Sequence, residues 1–277
     1  MSSSTVPIHG NYRGYYAKRP SVNDPRLDLL PPSTFAGKRV LDVGCNEGWV
    51  SCEIAQSHGA SRVVGVDIDD ALVRGAWRRR RTVWSAQGPP PDTHDSEPES
   101  ETAGPNRKRK RTEVAPVPRS AVGEPDYFPA SCAHSLGPLP IPHSAPVLFP
   151  HNVSFRTADW VNERIPDDEG GYDVVLAFSI TKWIHLNGGD SALTTFFARV
   201  SSVLQPGGQF VVEPQAWDTY RKAKRMDKRL RDTAQGLVLR PDEFPRMLAD
   251  VGFGEPLRLG SVGEGGFHRP VDLYTKV

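Results

Sequence analysis

Cysteine is scarce in this chain, and its three cysteines fit neither a metal site built from cysteines nor a complete set of disulfide bonds. Cys45, Cys52 and Cys132 do not have the spacing of metal ligands, and an odd number of thiols cannot pair completely. Such usage favours a reducing, intracellular compartment over a secreted disulfide scaffold. We therefore expect no resident metal ion.

Long apolar runs and an excess of charge of one sign are also lacking. No stretch approaches the roughly 18 apolar residues of a membrane-spanning helix, and residues 1–10 lack the charged-then-apolar order of a secretory signal. The 277 residues have a formal net charge of +1, so any nucleic-acid site must come from local basic clusters. We expect no association with a membrane.

Residues 40–48 predict a ligand-binding turn. The apolar run Val40–Val43 is followed by Gly44 and Gly48, and a helix-like segment begins at Trp49. Glycine lets a ligand approach the backbone closely, and a helix start offers free N–H groups. A second strand ends at Asp67, about 20 residues further on, where a carboxylate can reach the ribose of a nucleoside. The pattern resembles motif I of S-adenosylmethionine-dependent methyltransferases, and an ordinary α/β turn with a capping aspartate is the alternative.

Residues 86–126 differ from the rest in composition. They are rich in proline, serine and acidic residues and contain few aliphatic ones. They therefore cannot bury enough apolar surface to offset the conformational entropy that is lost on ordering. We predict a disordered insertion within one domain that extends from 10 to 277 and follows a flexible N-terminus at 1–9. The basic run 107–111 indicates a nuclear-localisation signal or an RNA contact, with a solvated linker as the alternative. The signal predicts a nuclear protein, with the cytoplasm as a second location.

Strand and helix patterns alternate along the remaining chain. Further strands are predicted at 152–157, 172–178, 209–213, 256–260 and 270–275, and helices at 48–58, 70–84, 189–204 and from 240 onward, with a polar loop at 179–187. This order predicts an α/β fold with a mostly parallel seven-stranded sheet and helices on both faces. Asp159 and Trp160 follow the third strand, where they could contact an adenine; a helix cap beside a surface tryptophan is the alternative.

Six segments carry a more specific resemblance: 10–16, 41–46, 64–69, 179–187, 213–217 and 267–270. Together they resemble the methylphosphate capping enzymes of small RNAs, the Bicoid-interacting methyltransferase family, over about 10–84 and 127–277. The resemblance implies a Rossmann-like class I methyltransferase. It implies methyl transfer from S-adenosylmethionine to the 5′ γ-phosphate of an RNA.

The resemblance also implies roles for individual residues. Residues expected to hold S-adenosylmethionine are Tyr15, Arg26, Gly44, Cys45, Asn46, Asp67, Ile68, Asp159, Trp160 and Phe178. Lys182, with Tyr12 and Arg13, is expected to grip the γ-phosphate, and His185 to orient it. Gly188 departs from the family, whose members often carry a bulky aromatic residue there.

The expected partners are a small RNA with a 5′-triphosphate end and ribonucleoprotein proteins, bound by a monomer. Two other functions remain open at this stage. One is a non-catalytic RNA-binding scaffold that retains the methyltransferase fold. The other is a methyltransferase for proteins or small molecules, which the basic clusters at 78–81, 107–111 and 221–231 disfavour.

Overall fold

The computed structural model describes residues 6–12, 14–16, 23–86, 137, 148–264 and 268–277. Arg13, the basic run 107–111 and all of the predicted insertion except its first residue lie outside these ranges. The same holds for residues 1–5 of the predicted flexible N-terminus and for Phe267.

Strands and helices alternate through most of the described chain. The first part comprises β1 (Arg39–Val43), α1 (Trp49–Ser57), β2 (Arg62–Asp67), α2 (Asp70–Ser85), β3 (Val153–Thr157) and β4 (Tyr172–Phe178). The second part comprises α3 (Thr181–Val203), β5 (Leu204–Glu213), α4 (Tyr220–Ala223), α5 (Lys228–Gln235), α6 (Phe244–Ala249), β6 (Leu257–Val262) and β7 (Arg269–Thr275). Short 3-10 turns lie at Pro166–Gly170, Trp217–Thr219 and Pro241–Glu243.

The strands form one seven-stranded sheet in the order β3-β2-β1-β4-β5-β7-β6. Neighbouring strands from β3 to β5 are parallel, whereas β7 runs antiparallel to both β5 and β6. The predicted mostly parallel sheet is therefore confirmed. The strand order reverses direction at β1, and ligands of such sheets bind beyond the carboxyl ends of the strands at this point.

Alternating side chains of the strands build two cores, one on each face of the sheet. Val40 packs with Ile54 of α1 and Val73 of α2 on one face. Its neighbour Leu41 packs with Phe196 of α3 on the other. Successive strand residues point to opposite faces, so strands that are covered on both sides become apolar throughout. Helices on both faces are confirmed.

The segment after β4 differs from the prediction. The predicted polar loop at 179–187 is wrong from Thr181 onward, because α3 begins there and continues to Val203. Gly189 has non-helical backbone angles (φ 72°, ψ −171°) and kinks the helix at the point where the prediction began it. Asn187 stabilises the first turns, since its Nδ2 donates to the carbonyl oxygens of Trp183 (2.9 Å) and Ile8 (2.8 Å).

Candidate functional site

A cavity of about 860 Å³ lies beyond the carboxyl ends of β1, β2, β3 and β4. Gly44, Asp67, Ala158 and Ser179, which directly follow or end these strands, all line it. Its volume falls within the roughly 300–1,000 Å³ that is usual for small-molecule sites. The parallel strands thus bring residues from four distant parts of the chain to one opening.

The turn after β1 forms one wall of the cavity. Gly44 has a φ of 78°, and a Cβ there would stand 2.3 Å from Cγ2 of Ile180. The position therefore requires glycine for both its backbone conformation and its space. Asn46 also has a positive φ, 51°, which asparagine tolerates better than most residues.

The carboxylate of Asp67 is held in place beside this turn. It accepts hydrogen bonds from the backbone N–H groups of Asn46 (2.9 Å) and Asp69 (3.0 Å). Burial raises the pKa of Asp67 to about 6, although these two bonds favour the ionised form. A buried carboxylate that lines a cavity can accept further hydrogen bonds, for example from the hydroxyls of a ribose.

Ile68, Asp159 and Trp160 line the cavity beyond Asp67. Ile68 is 40% exposed, so its apolar surface is available to a ligand. Trp160 is buried, and its Nε1 donates to Asp168 at 3.2 Å. It is therefore not a surface tryptophan. The wall offers an apolar side chain and a carboxylate to a planar base.

Described residues of the N-terminal segment, between His9 and Tyr12 and at Tyr15 and Tyr16, line one side of the cavity. Asn11 Nδ2 donates to Asp69 at 2.6 Å, and the Tyr15 hydroxyl donates to Ser179 Oγ at 3.3 Å. Tyr12 packs edge-on against Trp183, with 5.9 Å between ring centroids. Tyr12 and Tyr15, both predicted site residues, thus lie at the cavity, where Tyr12 contacts α3 and Tyr15 contacts the residue that follows β4.

Cations gather around Lys182, at the start of α3. Lys222 and Arg269 line the cavity with it, and both lower the pKa of Lys182 electrostatically. Burial contributes most to the lowering, whereas Asp218 opposes it, and the pKa of Lys182 falls to about 8. Lys182 Nζ donates to Thr219 Oγ1 at 3.2 Å. This grouping can bind an anion with several charges, such as a phosphate chain.

The sequence alone indicates no role at the site for Lys222, which lies in the basic segment 221–231, or for Arg269, which lies in the segment 267–270 that resembles the family. Arg269 is brought to the site because β7 lies antiparallel to β5, so that the start of β7 meets the carboxyl ends of the other strands. Its guanidinium donates to Ser179 Oγ at 2.6 Å. The local sequence pattern does not show the direction of β7, so it could not predict that Arg269 lies at the site.

Of the predicted site residues that the structure describes, three do not line the cavity: Arg26, Cys45 and His185. Arg26 is fully buried, where it pairs with Glu213 (2.9 Å) and lies 4.2 Å from the ring centroid of Phe178. It therefore supports Phe178, which does line the cavity, from behind. Cys45 is buried, and burial raises the pKa of its thiol.

His185 lies within α3 and is fully buried. Its Nε2 lies 2.7 Å from Asp190 Oδ1, and its Nδ1 lies 3.2 Å from the Tyr220 hydroxyl. Burial lowers the pKa of His185, and the bond to Asp190 opposes that shift. Its contacts join α3 to α4, so a direct role in orienting a phosphate is not supported by its position.

The residues that the structure brings together at the cavity include most of the predicted set. They are Tyr12, Tyr15, Gly44, Asn46, Asp67, Ile68, Asp159, Trp160, Phe178 and Lys182. Within the described ranges, no group of three or more His, Cys, Asp or Glu side chains could hold a metal ion. Nor does any helix in those ranges have the length and apolarity to cross a membrane.

Two solved structures with low sequence identity share this fold. A putative methyltransferase in complex with the Haloferax volcanii Trm112 activator aligns with a TM-score of 0.54 and 12% identity, over 99% of both chains. Magnesium protoporphyrin IX methyltransferase from Synechocystis aligns with a TM-score of 0.51 and 12% identity, over 100% of this chain and 87% of the other. The predicted class I methyltransferase fold is confirmed.

Sequence comparison finds much closer relatives. A probable RNA methyltransferase of Arabidopsis thaliana is 35% identical over 96% of this chain and 80% of its own length. The U6 snRNA methylphosphate capping enzyme Amus of Drosophila melanogaster is 32% identical over 97% of this chain and 74% of its own. The human 7SK snRNA methylphosphate capping enzyme is 38% identical over 97% of this chain.

This chain spans only about two fifths of the human and mouse relatives, 39% and 40% of their lengths. The family model described as Bicoid-interacting protein 3 (Bin3) matches residues 172–276, which carry β4, α3 and the cations around Lys182. With the extensive matches to the plant and fly relatives, this shows that the chain belongs to the Bin3 family.

Proposed function

We propose that this chain transfers a methyl group from S-adenosylmethionine to the terminal 5′-phosphate of a small RNA. One observation carries the proposal: a single cavity joins a glycine turn and a buried carboxylate to a group of cations. The first half suits a nucleoside and the second suits a polyphosphate. The names of the fly and human relatives point to the same chemistry, and the name of the plant relative to RNA methylation.

The described residues fit the cofactor at the β1–β2 side of the cavity. Gly44 leaves room for close approach to the backbone. Asp67 would accept hydrogen bonds from the ribose hydroxyls, Ile68 would pack on the adenine, and Asp159 would accept from the adenine amino group. Phe178, which Arg26 supports from behind, would contact the cofactor from the end of β4. When bound, the cofactor would supply a sulfonium methyl carbon that an anionic oxygen can attack, with an O–C bond formed, the C–S bond broken and S-adenosylhomocysteine as the leaving group.

The acceptor needs little acid–base catalysis, because a terminal phosphate oxygen is already ionised near neutral pH. The protein has to bind the phosphate chain, neutralise its charge and align one oxygen with the methyl carbon. Lys182, Lys222 and Arg269 perform the first two tasks, and Tyr12 covers the site from the N-terminal segment. Alignment of two reactants can contribute roughly 7–11 kcal/mol to the lowering of a barrier.

RNA beyond the terminal phosphate extends along α4 and α5. Arg221, Lys222, Arg225 and Lys228 are exposed there, and Lys222 also lines the cavity. A basic surface that continues from a phosphate site is suited to the backbone of a nucleic acid. The relatives that act on U6 and 7SK snRNA favour a small nuclear RNA as the substrate. A nuclear location and assembly of the monomer with ribonucleoprotein proteins form part of the proposal.

The proposal is tested with cofactor labelled in the methyl group. One RNA sequence is prepared in three forms, with a 5′-triphosphate, a 5′-monophosphate or a 5′-hydroxyl end. Triphosphate RNA is expected to become labelled over many turnovers, and hydroxyl RNA to remain unlabelled. Monophosphate RNA belongs in the panel because shorter matches exist to RNA 5′-monophosphate methyltransferases, for example 36% identity over 37% of this chain for the human protein. Equal labelling of hydroxyl RNA would contradict the proposal. Tight RNA binding without any turnover would favour the non-catalytic scaffold.

A further inference from the structure

The N-terminus of α3 has no cap of its own. A helix start leaves several N–H groups without partners, and a polar N-cap side chain normally bonds the N–H of the second or third helical residue. Ile180 occupies the N-cap and makes no such bond. Its Cγ2 fills the space beside Gly44 instead. Ile180 thus contributes an apolar side chain to the cavity wall and leaves the helix start to be capped by another part of the chain.

Gln215, two residues beyond the end of β5, supplies this cap. Its Oε1 accepts from the backbone N–H of Lys182 and from the hydroxyl of Thr181, both at 3.1 Å. Its Nε2 donates to the carbonyl oxygen of Ser179. Only this orientation of the amide matches each donor with an acceptor. Gln215 is 1% exposed, so water cannot replace these bonds.

The same loop also holds the far end of Lys182. Lys182 Nζ donates to Thr219 Oγ1 at 3.2 Å, and that hydroxyl in turn donates to the Ala216 carbonyl at 2.7 Å. Residues 215–219 thus contact the lysine at both its backbone N–H and its ammonium group. A free lysine side chain samples many rotamers, and this arrangement restricts them before a ligand binds.

The groups around the Lys182 ammonium come from several elements. Arg269 of β7 and Lys222 of α4 repel it, and Asp218 of the 3-10 turn attracts it. The Trp183 ring lies 5.0 Å from Nζ. Because the ammonium is placed among these groups by the loop, a shift of α3 relative to the loop would change its surroundings.

We propose that Gln215 is a positioning residue for methyl transfer, which acts by fixing Lys182 where the terminal phosphate of the acceptor binds. This inference rests on the proposed function of Lys182. The role of Gln215 depends on both ends of its amide group. Nε2 donates to the carbonyl oxygen of Ser179, just after β4, and Oε1 accepts from the N–H of Lys182 at the start of α3.

The test compares Gln215→Met, which keeps the size but loses all hydrogen bonds, with Gln215→Glu, which keeps the acceptor for Lys182 N–H. Gln205→Met is the matched control, since Gln205 is exposed and makes one long bond, 3.4 Å, to the Gly170 carbonyl. Because a displacement of about 1 Å in a group that aligns reactants can cost about 100-fold in rate, kcat of Gln215→Met should fall roughly 10- to 100-fold. The loss in Gln215→Glu should be smaller, and cofactor affinity should stay unchanged in all three variants.

A second readout does not require activity. The titration of Lys182 is followed by NMR in protein that carries ¹³C-labelled lysine, with Lys182→Arg used to assign the signal. Release of the ammonium towards solvent in Gln215→Met should raise the midpoint by at least about half a pH unit. Gln205→Met should leave it unchanged. A role confined to stability would lower the melting temperature without moving this midpoint.

Each outcome has a distinct meaning. An unchanged kcat and an unchanged Lys182 midpoint in folded Gln215→Met would overturn the inference. If the wild-type protein labels none of the RNAs, the proposed function fails, but a shifted midpoint would still show that Gln215 fixes the lysine. Should Gln215→Met fail to fold, Gln215→Glu carries the same two readouts, and wild-type values in it for both would overturn the inference.

Discussion

Replacement of Gly44 by alanine tests the geometry of the cavity wall, because the backbone angle and the contacts of Gly44 allow the loss of stability to be estimated. An alanine with φ near 78° is in the left-handed region, which costs about 1–2 kcal/mol for a residue with a Cβ. The new methyl would also lie 2.3 Å from Ile180 Cγ2. Ile180 is β-branched and therefore stiff, and overpacking of this kind costs about 1–3 kcal/mol. The expected loss of stability for Gly44→Ala is therefore about 2–5 kcal/mol.

Gly37→Ala is the matched control, because Gly37 has a similar φ of 71° but nothing within 4 Å of an added Cβ. It should lose only the backbone contribution, about 1–2 kcal/mol. Urea unfolding of both variants measures the difference. Calorimetric titration with S-adenosylmethionine should show at least about tenfold weaker binding for Gly44→Ala, equal to about 1.4 kcal/mol, and wild-type binding for Gly37→Ala. Equal losses of stability, or undiminished cofactor binding by Gly44→Ala, would refute the described packing of the turn.

The remaining predictions concern charge. Lys182→Met should lower transfer to triphosphate RNA by at least about tenfold, the loss of one charge-assisted bond, while calorimetry finds cofactor affinity unchanged; the exposed Lys38→Met should resemble the wild type. Because Lys182 loses its proton as pH rises through about 8, kcat/KM should fall above that pH, and a level profile up to pH 9 would show that its charge is not used. Asp67 gains a proton as pH falls through about 6, so cofactor titrations should show weaker binding below that pH, and a constant Kd down to pH 5 would exclude the carboxylate as an acceptor. The double substitution of Arg221 and Arg225 by glutamine should reduce the slope of log K against log salt by about 0.7 per lost contact, and an unchanged slope would place the RNA elsewhere.

The part of the fold that local sequence patterns specify was predicted well. β1, the glycine turn and β2 up to Asp67 follow from short apolar runs and glycines, because each depends mainly on neighbours in the chain. The start of α3 could not be predicted in this way. The side chain that caps this helix belongs to Gln215, more than thirty residues away. The residue at the N-cap position is an isoleucine, which packs beside Gly44. A rule based on local caps therefore assigns this segment to a loop.

The resemblance to the family identifies residues that match its motifs, but it does not show which of them face the cavity and which are buried beside it. Arg26 and His185 match the family pattern, but their partners Glu213, Asp190 and Tyr220 are visible only in three dimensions. Those partners hold both side chains away from the cavity. Arg269 illustrates the reverse case, since its position at the site depends on the antiparallel direction of β7.

Location of the transferred methyl group tests the central claim most directly. Triphosphate RNA is incubated with the protein and cofactor and then digested to nucleotides, and the 5′-terminal nucleotide is analysed by fragmentation mass spectrometry. We predict that the added mass of one methyl group appears on the γ-phosphate. A methyl group on a base or ribose, with an unmodified triphosphate, would contradict it.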